Sequence, residues 1–101
     1  MDSKYILLSA DGPVSVYLVP SIVADNLEKY CLEFCNEWMV KSKEAERYRK
    51  GELFDIEEVF IDFLKKYKLI EGNYKYIEEL PEIWRCVELP KKYRTCSSFN
   101  F

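Results

Sequence analysis

The stretch "YILLSADGPVSVYLVP", residues 5–20, decides the fold because it has the pattern of two strands joined by a tight turn. Residues 5–9 and 14–19 are rich in β-branched and aromatic side chains, which pack well on a pleated surface. The Asp-Gly dipeptide between them is a strong turn signal, since glycine adopts a positive φ without a Cβ clash. Pro13 has no backbone N–H for a strand ladder, so it is expected in the loop or at a strand start. The sequence therefore predicts an N-terminal β-hairpin.

The second strand of this hairpin is apolar on both faces. Its side chains alternate, which places Val14, Val16 and Leu18 on one face and Ser15, Tyr17 and Val19 on the other. Strands of this kind need cover on both sides. In a domain this small, part of that cover is expected to come from a partner.

A long amphipathic helix is predicted over residues 21–40, with Pro20 in its first turn, where a missing N–H costs nothing. The apolar residues that define its face recur at spacings of three and four: Val23, Leu27, Tyr30, Cys31, Phe34 and Trp38. A neighbouring apolar stripe widens the arc to about 200°, roughly twice what a helix on one sheet needs. The excess predicts a second packing partner, either the C-terminal tail of this chain through Phe99 and Phe101 or another chain. The possible interaction surface comprises the stripe and the second face of the hairpin: Leu32, Cys35, Met39, Tyr17 and Val19.

A second helix is predicted to start at Asp55, which resembles a capping box together with Glu58. Its apolar face comprises Ile56, Val59, Phe60, Phe63, Leu64 and Tyr67. The helix is expected to end at "EGN", residues 71–73, and a short third strand is expected at Leu53 and Phe54 just before it.

The C-terminal third is predicted to be extended. "YKYIEEL", residues 74–80, can alternate as a strand, and "EIWRCVEL", residues 82–89, fits either helix or strand. The short length of the second run and the proline at position 90 favour a strand there. The aromatic residues at the end, Phe99 and Phe101, are expected to dock, because exposing them to water is unfavourable.

Together these elements predict one α+β domain over residues 1–101. The expected architecture is an N-terminal hairpin and two main amphipathic helices packed on one face of an antiparallel sheet, followed by an extended C-terminal segment. The chain length lies near the common size of a single domain.

The cysteines are the first candidates for chemistry. Cys31 and Cys35 lie four residues apart in the middle of the predicted helix, and nine residues separate Cys86 from Cys96. Structural zinc favours cysteine pairs two to four residues apart on turns, where the sulfurs can converge. Free cysteines are among the most buried residue types, so these thiols are predicted to be structural, and no metal site is expected.

Composition argues against catalysis. The chain has no histidine, the most usual general base near neutral pH, and its three scattered glycines form no phosphate-binding loop. The neighbouring carboxylates Glu57 and Glu58 are better explained as partners of the dipole at the helix N-terminus. We therefore predict a protein that is not an enzyme, with no catalytic residues and no cofactor.

Two basic segments, residues 41–50 and 91–94, provide an alternative function. The first has little apolar content and is expected to be a solvated, mobile link. If the fold joined the two, the resulting patch could grip phosphates, with Tyr48 and Tyr93 available for stacking on bases. Its members are Lys41, Lys43, Arg47, Arg49, Lys50, Lys91, Lys92 and Arg94. The net charge of −3 opposes this use.

The function predicted from the sequence is therefore a small cytoplasmic protein-interaction or regulatory module. Its partner is expected to be another protein or a second copy of the chain as a homodimer, and nucleic acid is the alternative. The high aromatic content, 16%, fits an interface, because Tyr and Trp are enriched in interface cores. No run is long and apolar enough for a signal peptide or a spanning helix, so no membrane association is expected.

Overall fold

The predicted hairpin is confirmed. A computed structural model describes residues 2–10, 12–80, 91–93 and 95–101. Strand β1, Ser3–Ser9, pairs antiparallel with strand β2, Val14–Pro20, along its whole length.

Within the described residues, the sheet has four strands in the order β3-β2-β1-β4, so the α+β prediction is confirmed. Strand β3, Lys75–Leu80, pairs antiparallel with β2, and strand β4, Ser97–Asn100, pairs parallel with β1. The sheet is thus mixed rather than wholly antiparallel. The reason is topological: β3 and β4 lie at opposite edges of the sheet, and both run in the same direction as β1.

Three strand predictions have different outcomes. The strand predicted at residues 74–80 is present as β3, whereas the strand favoured over residues 82–89 lies outside the described residues. The strand predicted at Leu53 and Phe54 is wrong. These residues lie in an unpaired loop, where Leu53 is 96% exposed and Phe54 packs on Tyr48 at 4.5 Å between ring centroids.

The helix predicted over residues 21–40 is present in segments. Helix α1 spans Ser21–Asp25 and helix α2 spans Leu27–Glu33. A π-helical turn, Phe34–Trp38, and a last short helix α3, Met39–Lys41, complete the run. The break falls at Asn26, whose backbone leaves the helical region and whose side-chain amide donates to the carbonyl of Ile22 at 2.9 Å. Asparagine favours such a break because its side chain competes for backbone hydrogen bonds.

Helix α4 spans Glu46–Arg49, and helix α5 spans Ile56–Lys66 with the predicted cap in place. The Asp55 carboxylate accepts the backbone N–H groups of Glu57 and Glu58 at 3.1 and 3.4 Å. The α5 helix ends earlier than predicted, because the chain reverses at Leu69, which has a φ of 54°.

One face of the sheet packs against the helices. The buried residues there come from both layers: Ile6, Leu8, Tyr17, Val19, Cys31, Phe34, Phe60 and Leu64. The C-terminal aromatics dock into this layer, as predicted. The ring of Phe101 lies 5.9 Å from that of Phe34 and 5.5 Å from that of Phe60.

The opposite face is covered by the segment that precedes β4. Tyr93, in a 3-10 turn at Lys91–Tyr93, is 1% exposed and packs on Leu7, Val14, Val16 and Leu80. Its ring meets that of Tyr5 edge-on at 5.5 Å, and its hydroxyl donates to Glu78. The same chain therefore covers at least part of this face of the sheet. Among the described helices, none has the length and apolar character needed to cross a bilayer.

Candidate interaction surface

The residues predicted to form an interaction surface separate into two groups. Leu32 is 44% exposed, and Cys35 and Met39 are half-buried against the core. Tyr17 and Val19 are buried beneath the helices, so they do not belong to an accessible surface. Their strand face was expected to need a partner, but the helices of the same chain cover it.

The thiols occupy structural positions. Cys31 is fully buried, and burial raises the pKa of the Cys31 and Cys35 thiols. Cys96 packs against the opposite face of the sheet, so the sheet separates it from the other two, and Cys86 lies outside the described residues. Within residues 2–10, 12–80, 91–93 and 95–101, no group of three or more potential ligands is arranged to hold a metal ion.

Residues 41–50 are attached to the fold, in contrast to the mobile link expected from the sequence. Ala45 is fully buried. The guanidinium of Arg49 donates to the backbone carbonyls of Met39 and Ser42 at 2.8 and 2.9 Å. These bonds fasten α4 to the end of α3, so Arg49 has a structural role.

Most of the other basic residues of this segment are paired with acids. Salt bridges join Lys41 to Glu37, Lys50 to Glu46 and Arg47 to Glu52, at 3.0, 2.9 and 3.3 Å. Among the basic side chains of this segment, only that of Lys43 has no ion pair or hydrogen bond within the described part of the chain. The positive charge available to an outside phosphate is correspondingly small.

The two basic segments do not converge. Helix α4 contacts α3 on the helix side of the sheet, whereas the turn Lys91–Tyr93 packs on the opposite side. Lys92 lies 3.5 Å from a carboxylate oxygen of Glu78, and Arg94 lies outside the described residues. The single patch that the alternative function requires is therefore not formed by the described residues.

A groove lined by aromatic side chains lies between the π-helical turn, α4 and α5. Its apolar walls are formed by Trp38, Tyr48, Val59, Phe63 and Tyr67, which we call the aromatic groove. It has a volume of about 380 Å³. The Trp38 ring lies 5.8 Å from Phe63 and 5.2 Å from Tyr67, between centroids. Tyr67 remains 43% exposed, so a partner can reach this wall.

The π-helical turn places Trp38 in the groove. The backbone N–H of Met39 donates to the carbonyl of Phe34, five residues back rather than four. A turn of this width advances each residue by a smaller angle than an α-helix does. Trp38 is thereby rotated towards α5 and stacks on Phe34 with an interplanar angle of 16°.

The indole of Trp38 keeps an unused donor. Its Nε1 is buried, and no acceptor lies within hydrogen-bond distance of it among the described residues. A buried donor without a partner is unfavourable by about 1–3 kcal/mol.

Four charged residues form the rim of the aromatic groove: Glu44, Arg47, Asp62 and Lys66. The Arg47 guanidinium lies 4.8 Å from the centre of the Tyr48 ring and donates to the Tyr48 hydroxyl at 2.6 Å. A hydrogen bond from the Ser42 hydroxyl holds the pKa of Glu44 below its usual value. Charged groups of both signs thus surround the apolar walls of the groove.

Sequence reasoning missed this groove. Trp38 and Tyr67 were assigned to the apolar faces of their helices, which is correct, but both lie at the edge of the core rather than inside it. Tyr48 was considered only as a stacking platform for bases. The spacing of apolar residues carries no sign of a π-helical turn, so the convergence of these rings could not be predicted.

Comparisons of the chain with protein-family models, with curated proteins and with solved structures found no significant match. Function is therefore inferred from the surface of the chain itself.

Proposed function

We propose that the chain is a non-enzymatic protein-interaction module that binds a protein partner through the aromatic groove. One observation carries the proposal: Trp38, Tyr48, Tyr67 and Arg47 meet around one concave surface. Trp, Tyr and Arg are the residue types most enriched among the few interface residues that dominate binding energy.

The groove suits an apolar anchor residue of a partner. Burying a Leu- or Phe-sized side chain contributes about 1.5–3 kcal/mol relative to leaving it in water. The tyrosine hydroxyls and the charged rim provide polar contacts that fix the orientation of the partner.

The state of the thiols supports binding rather than catalysis. A cysteine nucleophile reacts as the thiolate, and burial stabilises the thiol form of Cys31 and Cys35. The setting that we propose is the cytoplasm, where such thiols stay reduced.

Nucleic-acid binding remains the alternative proposal, with less support. Lys41, Arg47 and Lys50 are already paired with carboxylates. A phosphate must either displace these carboxylates or bind beside them against their repulsion. Binding of this kind would weaken steeply with added salt, because phosphate contacts release counterions. A salt titration with DNA and RNA separates the alternative from groove binding, which depends mainly on apolar contacts.

A peptide-display selection against the full chain tests the proposal. Selected peptides are expected to carry an aromatic or branched apolar anchor. The Tyr67→Ala variant should weaken their binding by about 30-fold or more, the size of a hot-spot loss. Tyr76→Ala is the matched control, because Tyr76 is 53% exposed and lies on β3, outside the aromatic groove.

The control variant should bind within about threefold of the wild-type chain, as expected for a residue outside the contact. Circular dichroism of both variants checks that each is folded. Peptides that bind all three proteins equally, or a selection that yields no binder, would contradict the proposal.

A further inference from the structure

The two edges of the sheet differ in how well they are protected. Strand β3 carries Glu78 and Glu79 and has a register shift against β2 between Val16 and Tyr17. Charges and bulges of this kind prevent an edge strand from pairing with another chain. Strand β4 has the sequence "SSFN", without charge, proline or irregular pairing.

The backbone of β4 presents hydrogen-bonding groups on its outer side. The N–H of Phe101 donates to the carbonyl of Ser9 on β1 at 2.7 Å. Because backbone groups alternate in direction along a strand, those of Ser98 and Asn100 point away from β1. Among the described residues, β4 pairs with β1 alone.

We propose that a second copy of this chain pairs with β4 in an antiparallel manner, about a two-fold axis at Phe99. In this register Ser98 lies opposite Asn100 of the second copy. The two residues exchange both backbone hydrogen bonds, and the symmetric pair does the same. The inference is independent of the aromatic groove and goes beyond the function proposed above.

The lack of charge along this edge allows a second copy to be its occupant. Each chain carries a net charge of −3, so two copies repel except where their contact surfaces are uncharged. Residues 95–101 contain no charged side chain. A contact about a two-fold axis places the same surface of both copies face to face. Because this edge is uncharged, the two surfaces do not repel each other.

The side chains of the edge also complement one another. Phe99 is half-buried on the helix side, and at the two-fold axis its ring would meet the ring of its counterpart. In the same register the small Ser97 lies opposite the large Phe101. A single aromatic pair across strands stabilises such a contact only modestly, so we expect a weak, concentration-dependent dimer.

The dimer would have one continuous eight-stranded sheet with both helix layers on the same side. The groove wall formed by Trp38 and Tyr67 lies between the first helical run, which includes α2 and α3, and helix α5. The ion pair between Lys68 and Glu33, at 2.6 Å, joins the same two parts of the chain. Leu32 lies on the other flank of the helix, and α2 contacts β4. Pairing at β4 therefore leaves the aromatic groove of each copy open, and the dimer can engage two partner sites at once.

Light scattering and amide hydrogen exchange of the full chain test the pairing together. The weight-average mass should rise towards that of a dimer as concentration increases. Over the same range, the amides of Ser98 and Asn100 should become protected, while those of Phe99 and Phe101 stay unchanged because they already bond to β1. A chain that is monomeric at every concentration, or a dimer without this alternating protection, would overturn the proposal.

A matched pair of variants isolates the outward N–H of Ser98. Ser98→Pro removes that donor and is tolerated at an edge position facing solvent, so the variant should fold but remain monomeric. Ser98→Thr keeps the donor and should dimerise like the wild-type chain. Undiminished dimerisation of a folded Ser98→Pro variant would contradict the register. If this variant does not fold, the amide protection of the wild-type chain decides.

Discussion

Trp38 and Tyr67 belong to helices far apart in the sequence, yet their ring centroids lie 5.2 Å apart and form one wall of the aromatic groove. The same indole stacks on Phe34 at 5.6 Å, and Phe34 is fully buried. The groove wall is therefore a direct extension of the core. Since cores are close-packed, this connection holds the exposed rings in a defined geometry, which lowers the entropy lost when a partner binds.

Phe34 joins the core to the groove, so truncating it should be costly. Its ring contacts Phe60, Phe63 and Phe101, at 5.4, 5.4 and 5.9 Å. Phe34→Ala is expected to lower the free energy of unfolding by about 3–5 kcal/mol, measured by urea denaturation. Leu32→Ala, on the exposed side of the same helix, is the control and should change it by less than about 1 kcal/mol. Equal losses of unfolding free energy in the two variants would show that Phe34 is not buried in the core and Leu32 is not on the exposed side.

Arg49 anchors residues 41–50, so its loss should loosen them. Arg49→Gln removes the charged donors to the carbonyls of Met39 and Ser42. Amide exchange in residues 41–50 should then become faster, while exchange in α5 stays unchanged. Lys50→Gln is the matched control, because the surface pair of Lys50 with Glu46 contributes little. Slow exchange in the Arg49→Gln variant would show that the buried Ala45 alone holds the segment.

Glu57 should make stability depend on pH. Burial, a hydrogen bond with Asp55 and repulsion from Asp55 and Glu79 raise its pKa from the usual value of 4.5 to about 7. The folded state then binds a proton more tightly than the unfolded state does. The stabilisation is complete below pH 4.5 and is lost as pH rises through about 7. Glu57→Gln should therefore flatten the fall in stability over this window, measured by urea denaturation at several pH values.

Glu58→Gln is the control for removing a carboxylate from the same helical turn, since Glu58 is exposed. A slope that is identical in the wild-type chain and in Glu57→Gln would contradict the assignment of the pH dependence to Glu57.

Local signals explain which parts of the fold could be predicted. The hairpin follows from an Asp-Gly turn between two apolar strands, and α5 follows from its Asp55 cap and a clean apolar period. The docking of Phe99 and Phe101 follows from the cost of exposing aromatic rings. Each of these predictions depends on a few neighbouring residues or on burial alone.

The missed features depend on contacts between distant residues. The parallel pairing of β4 with β1 is decided by a crossover that no local pattern reveals. Tyr17 is predicted to lie on an interaction surface because its strand is apolar on both faces, but α5 of the same chain lies over it. Leu53 is predicted to lie in a strand because of its apolar character, yet it is almost fully exposed in a loop. The groove itself requires the π-helical turn, which periodicity does not indicate.

The indole N–H signal of Trp38 offers the most direct test of groove binding. Its ring forms part of the groove wall beside Tyr67, so a partner seated in the aromatic groove should change the surroundings of the indole. In a titration of the ¹⁵N-labelled chain with a selected peptide, we predict that this signal shifts as the peptide binds and stops shifting at saturation. The Trp38→Phe variant assigns the signal. An indole signal that stays fixed at saturation, while amide signals around Leu32 move instead, would contradict the account.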